Sequence, residues 1–254
     1  MKIIIGDVHG QIDLLDDMIN KLKSQMNLSD EEIKRDLVLV GDLFDRGTES
    51  PDKIFDYFIQ NNLTSVLGNH ESLLLSSMGV RYDIPNFGRK EKARLIWSNP
   101  KNKGEVILDY LENLKLEDNP KYTQIINYIT QMDKFKQFDQ EGVIVTHSFL
   151  PSIATYYLVF WNNLKSMSDL PDTFLLWSSM ISPFMDPLAV MLNEPNKTKL
   201  PKYRYVMGHY VNNIVKGDNL MNFCIDTGAF HTGNLTALIV DSLKEEPFIA
   251  TIKR

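Results

Sequence analysis

The first third of the chain repeats one pattern three times, in which a short apolar run is followed by a glycine, polar residues and apolar positions at helical spacing. The apolar runs are Lys2 to Ile5, Leu37 to Val40 and Val66 to Leu67. Such runs predict buried strands, and the stretches after them predict helices that cover a sheet. Successive strand and helix units favour parallel strands with right-handed crossovers. We therefore expect an α/β fold whose first three strands end at one edge, where ligands bind.

The middle of the chain, from Val80 to Gln140, is more polar and keeps a helical period. Apolar residues share one face over Val106–Leu114 and over Tyr122–Ile129, which predicts a helical insertion beside the sheet. The pattern then changes to a strand at Val143–Val145. Beyond this strand we expect two helices and a polar loop, at Ile153–Met167, Thr173–Trp177 and Asn193–Pro201.

The last third is rich in β-branched and aromatic runs separated by Gly, Asn and Asp, which is typical of strands joined by turns. The runs are Tyr205–Met207, Asn222–Ile225, Leu235–Val240 and Phe248–Ile252. The chain has 254 residues, of which 43% are hydrophobic, so it can bury a substantial core. We expect a single domain over residues 1–254, with the helical insertion at about residues 80–140.

Composition narrows the classes of function. The net charge of -6 disfavours a broad basic surface, so extended nucleic-acid binding is not expected. Cys224 is the only cysteine, which excludes an intrachain disulfide and fits a reducing compartment. The apolar run Ile3–Ile5 is too short for a signal peptide, and no stretch is long enough to cross a membrane. These features predict a cytoplasmic protein without a membrane partner.

The densest chemistry lies in Gly41–Gly47, directly after the second apolar run. Asp42 could bridge two cations with its two oxygens, Asp45 could orient a neighbouring base, and Arg46 offers a planar fork that suits phosphate. Alone, such a cluster is as often a polar turn as a site. Whether this cluster is a turn or a site depends on which polar residues follow the other predicted strands.

Four of the five histidines also follow apolar, strand-like runs, and carboxylate or amide side chains stand near them. Together these residues are Asp7, His9, Asn69, His70, His147 and His209. Imidazole mixed with carboxylate and amide oxygen, without thiolate, favours manganese, iron or zinc. The set is too large for one ion and suits two. Sharing Asp42 between cations roughly 3.5 to 4 Å apart would hold a bridging water and lower its pKa.

The ordered motifs resemble those of a known family. They are Gly6-Asp7-Val8-His9-Gly10, Gly41-Asp42-Leu43-Phe44-Asp45-Arg46-Gly47, Gly68-Asn69-His70-Glu71 and the two later histidines. As a set, they resemble the phosphoprotein phosphatase family of calcineurin-like metallophosphoesterases. Residues 225–230 and 233–236 are similar to its bacterial and bacteriophage members in particular. The likeness runs from Asp7 to Thr236 and is weakest in the helical insertion.

The resemblance implies two mixed β-sheets flanked by helices and a hydrolase site with two divalent metal ions, manganese first and iron or zinc as alternatives. The ligands would be Asp7, His9 and Asp42 for the first ion, and Asp42, Asn69, His147 and His209 for the second. Arg46 would bind the phosphate oxygens. His70, oriented and kept cationic by Asp45, would protonate the leaving oxygen while a hydroxide held between the ions attacks phosphorus directly.

Several positions depart from the family pattern. Ser148-Phe149 stands where a glycine pair is common, and Tyr210 where threonine is common. Serines follow Trp177, where bacterial relatives carry an arginine that holds phosphate. Losing that guanidinium would weaken charge-assisted binding by about 1.5 to 3 kcal/mol. Candidates to replace it are Arg81, Arg89 and Arg94. Trp97 is expected to be a packing residue.

Three functions fit the pattern. The leading one is a phosphomonoesterase that acts on phosphoserine or phosphothreonine in proteins, with small aryl phosphates as surrogate substrates. The alternative hydrolyses dinucleoside polyphosphates or phosphates at nucleic-acid ends, but Asp45-Arg46-Gly47 together with Glu71 favours the first. The third is a catalytically weak metal-binding module that recruits a partner through the insertion, which His70 and the complete ligand set disfavour.

Overall fold

The computed structural model describes residues 1–80, 90–148, 203–211, 215–216, 222–242 and 245–254. Its strands form two mixed sheets, one of four strands and one of five, with helices packed against them. This confirms the predicted α/β fold with two mixed sheets. The helices predicted at Ile153–Met167 and Thr173–Trp177, and the loop predicted at Asn193–Pro201, lie outside the described residues.

The described elements comprise nine strands and eight helices. The strands are β1 (Lys2–Ile5), β2 (Leu37–Leu39), β3 (Phe135–Phe138), β4 (Val143–Thr146), β5 (Arg204–Met207), β6 (Val215–Lys216), β7 (Asn222–Cys224), β8 (Asn234–Val240) and β9 (Phe248–Lys253). The helices are α1 (Ile12–Met26), α2 (Asp30–Asp36), α3 (Pro51–Asn61), α4 (Asn69–Ser77), α5 (Lys90–Trp97), α6 (Gly104–Leu116), α7 (Pro120–Thr130) and α8 (Ala229–Thr232). Within the described ranges, no helix has the length and apolar composition needed to span a membrane.

Parallel pairing places the strand ends that carry polar residues at a common edge. In the four-stranded sheet, of order β2-β1-β8-β9, β1 runs parallel to β2. In the five-stranded sheet, of order β3-β4-β5-β7-β6, the strands β4, β5 and β7 run parallel to one another. The two edges meet, because His147 just after β4 donates a hydrogen bond to Val40 O just after β2. Side chains from both sheets can therefore form one site.

Alternating side chains of the strands fill two apolar layers. The layer between the sheets contains Ile4, Val38, Val40, Val66, Val143, Val145, Val206, Phe223, Ile225, Leu238 and Val240. Residues of the opposite parity, such as Ile3, Ile5 and Leu39, pack in the layer that the helices cover. Burial on both faces explains why these strands appear in the sequence as continuous apolar runs. The strand ends are thus anchored from both sides.

Local capping signals define several helix ends. Ser50 precedes α3 and Pro51 occupies its first position, where proline is favoured. Asn27 and Asn62 end α1 and α3 in the left-handed conformation, which asparagine tolerates. The sequence analysis missed α2, although Ser29 and Glu32 form a capping box in which each side chain accepts from the other's backbone N–H.

Two parts of the chain differ from expectation. The third apolar run forms no continuous strand; Leu39 and Ser65, and Val66 and Asp133, pair instead through single parallel bridges. The end of the predicted insertion contains the strand β3, which pairs antiparallel with β4 and adds an edge to the second sheet. Val66 still contributes to the layer between the sheets, so the run is buried as its composition predicts.

Candidate metal centre

The residues predicted as ligands meet where the strands end. They follow four strands and open one helix: Asp7, His9, Asp42, Asn69, His147 and His209. Backbone hydrogen bonds fix the spacing of the first two turns, because His9 N donates to Asp42 O at 2.8 Å and Gly10 N donates to Leu43 O at 2.7 Å. The turn after β1 is therefore joined directly to the turn after β2.

Four site residues adopt left-handed backbone conformations. The φ angle is 45° at His9, 54° at Asp42, 64° at Arg46 and 69° at His209. This region costs residues other than glycine roughly 1 to 2 kcal/mol each. Such conformations persist where the surrounding hydrogen bonds over-determine the turn. The turns therefore hold unfavourable φ angles at these residues, and the direction of the four side chains depends on those angles.

Glu71 holds the turn of Asp42 against the turn that begins α4. Its buried carboxylate accepts three backbone N–H groups, from Asp42 at 2.9 Å, from Leu43 at 2.8 Å and from Gly68 at 3.0 Å. Burial and the Asp42 carboxylate raise the pKa of Glu71 to about 8, against the N–H donors, which lower it. The sequence analysis used Glu71 only as part of a motif and missed that it positions the backbone of Asp42.

Glycine is required where two of these turns touch. A Cβ atom at Gly68 would overlap the backbone nitrogen and a carboxylate oxygen of Asp42, and a Cβ atom at Gly208 would overlap the carboxylate of Asp7. The glycines of the motifs therefore let carboxylates approach a neighbouring backbone within van der Waals contact.

The first group of candidate ligands is Asp7, His9 and Asp42, whose ligand atoms lie within 4.8 Å of one another. Asp7 Oδ2 accepts a hydrogen bond from His209 N at 3.0 Å. Asp7 Oδ1 is a buried oxygen without a hydrogen-bond partner in the described part of the chain. Burial, followed by the carboxylates of Asp226 and Asp42, raises the pKa of Asp7 well above its ordinary value. A cation here would satisfy the orphaned oxygen and keep Asp7 ionised.

The second group brings electron-rich atoms together. His147 Nδ1–H donates to Val40 O at 2.8 Å, so its Nε2 presents a lone pair. That lone pair lies 2.7 Å from Asn69 Oδ1 and 3.1 Å from His209 Nδ1. Burial lowers the pKa of His147, and burial together with His147 lowers the pKa of His209 to about 3, so both rings are neutral. Two acceptors this close repel unless a cation coordinates both, so the group fits a divalent ion.

Asp42 faces both groups through different oxygens. Its Oδ2 lies 3.6 Å from His9 Nε2, and its Oδ1 lies 3.4 Å from His147 Nε2. Burial would raise the pKa of Asp42, but the surrounding imidazoles, of which His70 is cationic, outweigh burial and lower it. The side chain is therefore a carboxylate placed between the two groups, which is the arrangement that a bridging ligand requires.

A second constellation lies beside the ligands. Asp45 accepts hydrogen bonds from His9 Nδ1 at 2.8 Å, from His70 Nδ1 and from Trp97 Nε1 at 3.1 Å. Burial would raise the pKa of Asp45, but His70 and His9 lower it below its usual range. Burial would lower the pKa of His70, but the carboxylates of Asp42 and Asp45 raise it to about 9, so this imidazole is cationic near neutral pH. Trp97 is buried, as a packing residue would be, and it also orients Asp45.

Arg46 places its guanidinium between these constellations. Its Nη1 lies 2.9 Å from His9 Nε2, and its Nη2 lies 3.1 Å from His70 Nε2 and 3.0 Å from Asn102 Oδ1. The lone pair of His9 Nε2 is also the one that a cation in the first group would use, since His9 Nδ1 is directed at Asp45. Arg46 Nη1 must turn away from His9 when a cation binds there.

Six of the predicted site residues line a cavity of about 230 Å³, namely His9, Asp42, Arg46, Asn69, His70 and His209. Its other wall is apolar and contains Leu73, Ile96 and Val211. Asp226 also lines the cavity, and its Oδ1 accepts from Gly228 N at 2.9 Å, which holds the turn after β7. Burial raises the pKa of Asp226. Sequence reasoning missed Asp226 and Asn102 as cavity residues, because only the folded chain brings them to the strand ends.

The three arginines that were candidates for a second phosphate-binding guanidinium have different outcomes. Arg81 and Arg89 lie outside the described residues, as do Trp177 and the serines that follow it. Arg94 donates to the Glu112 carboxylate from both terminal nitrogens, with one distance of 3.0 Å. It is not among the described residues that line the cavity. Within the described ranges, the guanidinium at the cavity is that of Arg46.

The departures from the family pattern leave the predicted ligands together. The ring of Tyr210 packs edge-on against the ring of His209, with centroids 5.5 Å apart. Ser148 is buried next to His147, and Phe149 lies outside the described residues.

Comparisons with known proteins bear on the family and the fold. The sequence model of a family described as calcineurin-like phosphoesterase matches residues 3–229. The crystal structure of a proposed diadenosine tetraphosphatase is similar with a TM-score of 0.56 and 19% identity, over 98% of this chain and 91% of that one; at this identity, the likeness shows the fold alone. The crystal structure of a metallophosphoesterase from Sphaerobacter thermophilus gives a TM-score of 0.45 and 11% identity, over 99% and 87% of the two chains. No curated protein sequence matches significantly.

Replacing Glu71 by glutamine tests the clamp on Asp42. In Glu71→Gln, an NH2 group replaces an oxygen that faces backbone donors, which leaves a buried N–H unpaired. We expect the free energy of unfolding of the metal-free protein to fall by about 1 to 3 kcal/mol, measured by chemical denaturation.

The matched control is Glu49→Gln, which removes only a partly exposed ion pair with Lys53 at 3.0 Å. Its free energy of unfolding should stay within about 0.5 kcal/mol of the parent value. Equal stability of the two variants would contradict the role of Glu71.

Proposed function

This chain belongs to the calcineurin-like phosphoesterase family, and we propose that it is a metal-dependent phosphomonoesterase that acts on phosphoserine and phosphothreonine side chains of proteins. One observation carries the proposal: a guanidinium, a cationic imidazole and members of two groups of candidate metal ligands line one small cavity. Each is a group that hydrolysis of a phosphate ester needs.

The two ligand groups suit a pair of divalent ions, which would supply an activated water and positive charge for the phosphoryl oxygens when bound. We propose manganese, with iron or zinc as alternatives, because the ligand atoms are imidazole nitrogens and carboxylate or amide oxygens without thiolate. In this proposal, Asp7, His9 and Asp42 hold one ion, and the other ligands are Asp42, Asn69, His147 and His209.

The protein's own groups handle the phosphate and the leaving group. Arg46 would bind phosphoryl oxygens through its planar fork and so orient the ester. His70 would donate the proton on Nε2 to the leaving oxygen, which prevents an alkoxide from forming on serine or threonine. Asp45 holds the Nδ1 side of this imidazole and keeps it cationic, while Trp97 fixes the carboxylate.

The size of the cavity supports a phosphate carried on a small side chain. Its volume of about 230 Å³ is below the roughly 300 to 1,000 Å³ of pockets that enclose drug-sized ligands. A phosphoryl group and the first atoms of a side chain fit this space, while the rest of a peptide would remain outside. The net charge of -6 disfavours extended nucleic acid as a partner. We propose a cytoplasmic location, since the chain carries a single cysteine.

A substrate panel tests the proposal. Protein stripped of metal and restored with manganese is assayed on a phosphoserine peptide, an aryl phosphate and a dinucleoside tetraphosphate, and bound metal is measured in parallel. The dinucleotide is included because a structural neighbour is a proposed diadenosine tetraphosphatase. We expect turnover of the peptide and the aryl phosphate, and loss of both activities without metal.

Turnover of the dinucleotide alone would replace our proposal by polyphosphate hydrolysis. Two bound ions without turnover of any of the three substrates would contradict the hydrolase and favour a metal-binding module.

Two substitutions separate metal binding from proton transfer. His70→Asn should retain both ions and lower kcat by roughly 10²- to 10⁴-fold, because the acid that protonates the leaving oxygen is lost. Asp42→Asn should lose the second ion, because an amide offers one oxygen where a carboxylate offers two. Metal content is measured by elemental analysis and kcat on the aryl phosphate.

The matched control is His231→Asn, which removes an exposed histidine of α8. Its metal content and kcat should equal those of the parent. If His70→Asn and Asp42→Asn also match the parent in both quantities, the assigned roles are wrong.

A further inference from the structure

Three side-chain atoms lie within hydrogen-bond distance of the guanidinium of Arg46, and they differ in origin. His9 Nε2 lies 2.9 Å from Nη1, while His70 Nε2 and Asn102 Oδ1 lie 3.1 and 3.0 Å from Nη2. The two histidines belong to the motifs at the strand ends. Asn102 belongs to the turn between α5 and α6, in the part of the chain that the sequence marks only as helical.

The two imidazole contacts cannot serve Arg46 in a working site. The lone pair of His9 Nε2 is the one that a metal cation would use, because His9 Nδ1 is directed at Asp45. His70 Nε2 must carry the proton for the leaving oxygen, so it cannot accept a hydrogen bond from Arg46. Asn102 Oδ1 has neither task. It is the side-chain acceptor, among those described around Arg46, that remains available throughout the reaction.

The amide of Asn102 is held in place by its own turn. Its Nδ2 donates to Ile96 O at 3.0 Å, and its backbone nitrogen donates to Asn99 O at 2.8 Å. A Cβ atom at Gly104 would overlap the ring of Trp97, so the end of this turn packs directly on the side chain that orients Asp45. One end of the amide is thus anchored on a carbonyl, and the other end is directed at Arg46.

The neutral charge of the amide matters as much as its position. A carboxylate at this point would form a bidentate ion pair with Arg46 and would occupy the fork that phosphate needs. An amide oxygen accepts one N–H and leaves the positive charge uncompensated. Since guanidinium has five N–H donors, four remain for phosphoryl oxygens and other contacts.

We infer that Asn102 is a positioning residue for phosphate recognition, which aims the guanidinium of Arg46 at the phosphoryl oxygens. The inference rests on the proposed function, because it names a residue that sets the affinity of the same site for its phosphoryl group. It gives the segment between α5 and α6 a role in substrate binding.

A double-mutant cycle between Asn102→Ala and Arg46→Ala tests this inference in the manganese-loaded protein. The measured quantities are kcat/KM for an aryl phosphate and, by calorimetry, the Kd for inorganic phosphate. Asn102→Ala should lower kcat/KM and raise Kd by about 10-fold, the scale of one hydrogen bond to a charged group. In a protein that already carries Arg46→Ala, adding Asn102→Ala should alter kcat/KM and Kd by no more than about twofold, because Asn102 acts through Arg46. Bound metal should be the same in all four proteins.

Two further variants distinguish the positioning of Arg46 by Asn102 from a general loosening of the turn between α5 and α6. Asn99→Ala removes a side-chain hydrogen bond from the same turn, in which Asn99 Oδ1 accepts from Lys101 N at 3.0 Å, and it should retain the parent's phosphate affinity. Asn102→Asp retains an acceptor but adds a negative charge beside Arg46. It should weaken phosphate binding at least as much as Asn102→Ala, an effect that a purely structural role would not produce.

If Asn102→Ala lowers kcat/KM and raises Kd by the same factor with and without Arg46→Ala, the inference is wrong. It is also wrong if Asn99→Ala is as impaired as Asn102→Ala. Either result would leave the proposed function intact. A parent protein that neither hydrolyses the ester nor binds phosphate would contradict the proposed function instead. In that case, the inference is tested by the rate at which phenylglyoxal modifies Arg46 in the metal-free protein. Asn102→Ala should accelerate the modification several-fold, and equal rates would overturn the positioning of Arg46 by Asn102.

Discussion

The structure depends on keeping carboxylates and imidazoles close together in a buried place where they would otherwise repel or take up protons. Asp7, Asp42, Asp45 and Glu71 are all almost fully buried at the ends of the strands. Isolated burial of this kind raises the pKa of an acid and favours its neutral form. Here backbone N–H groups and imidazoles compensate part of the cost. Part of the cost of burial is not compensated, since Asp7 has an oxygen without a hydrogen-bond partner among the described residues and acceptor atoms of His147 and Asn69 face each other. A pair of cations would offset this cost.

The fold supplies the rigidity that such a site needs. Apolar layers on both faces hold β1, β2, β4 and β5, so the turns after these strands have little freedom to separate. Hydrogen bonds from His9 N to Asp42 O and from His147 Nδ1 to Val40 O join the turns across the edge. Left-handed conformations occur at four candidate site residues in the turns at this edge, namely His9, Asp42, Arg46 and His209. Backbone strain therefore coincides with the candidate site residues, and the core supports the turns that carry them.

Much of this arrangement could be predicted from the sequence, because its signals are local. Continuous apolar runs predict buried strands, and a polar cluster after each run predicts a common edge, so the convergence of Asp7, His9, Asp42, Asn69, His147 and His209 follows from strand direction. What escaped prediction depends on contacts between distant segments. Trp97 reaches Asp45 and Asn102 reaches Arg46 only because α5 packs near α4. The bridges of Ser65 and Val66 replace a full strand for a similar reason, since pairing depends on neighbours that the sequence of the run does not show.

Anomalous diffraction from crystals of the manganese-loaded protein would test the central claim most directly, because it locates ions without assuming their ligands. The account predicts two peaks roughly 3.5 to 4 Å apart. One peak should lie among Asp7, His9 and Asp42, the other should contact His147 and His209, and the carboxylate of Asp42 should lie between them. A single peak, or peaks that leave the two later histidines without metal, would contradict it.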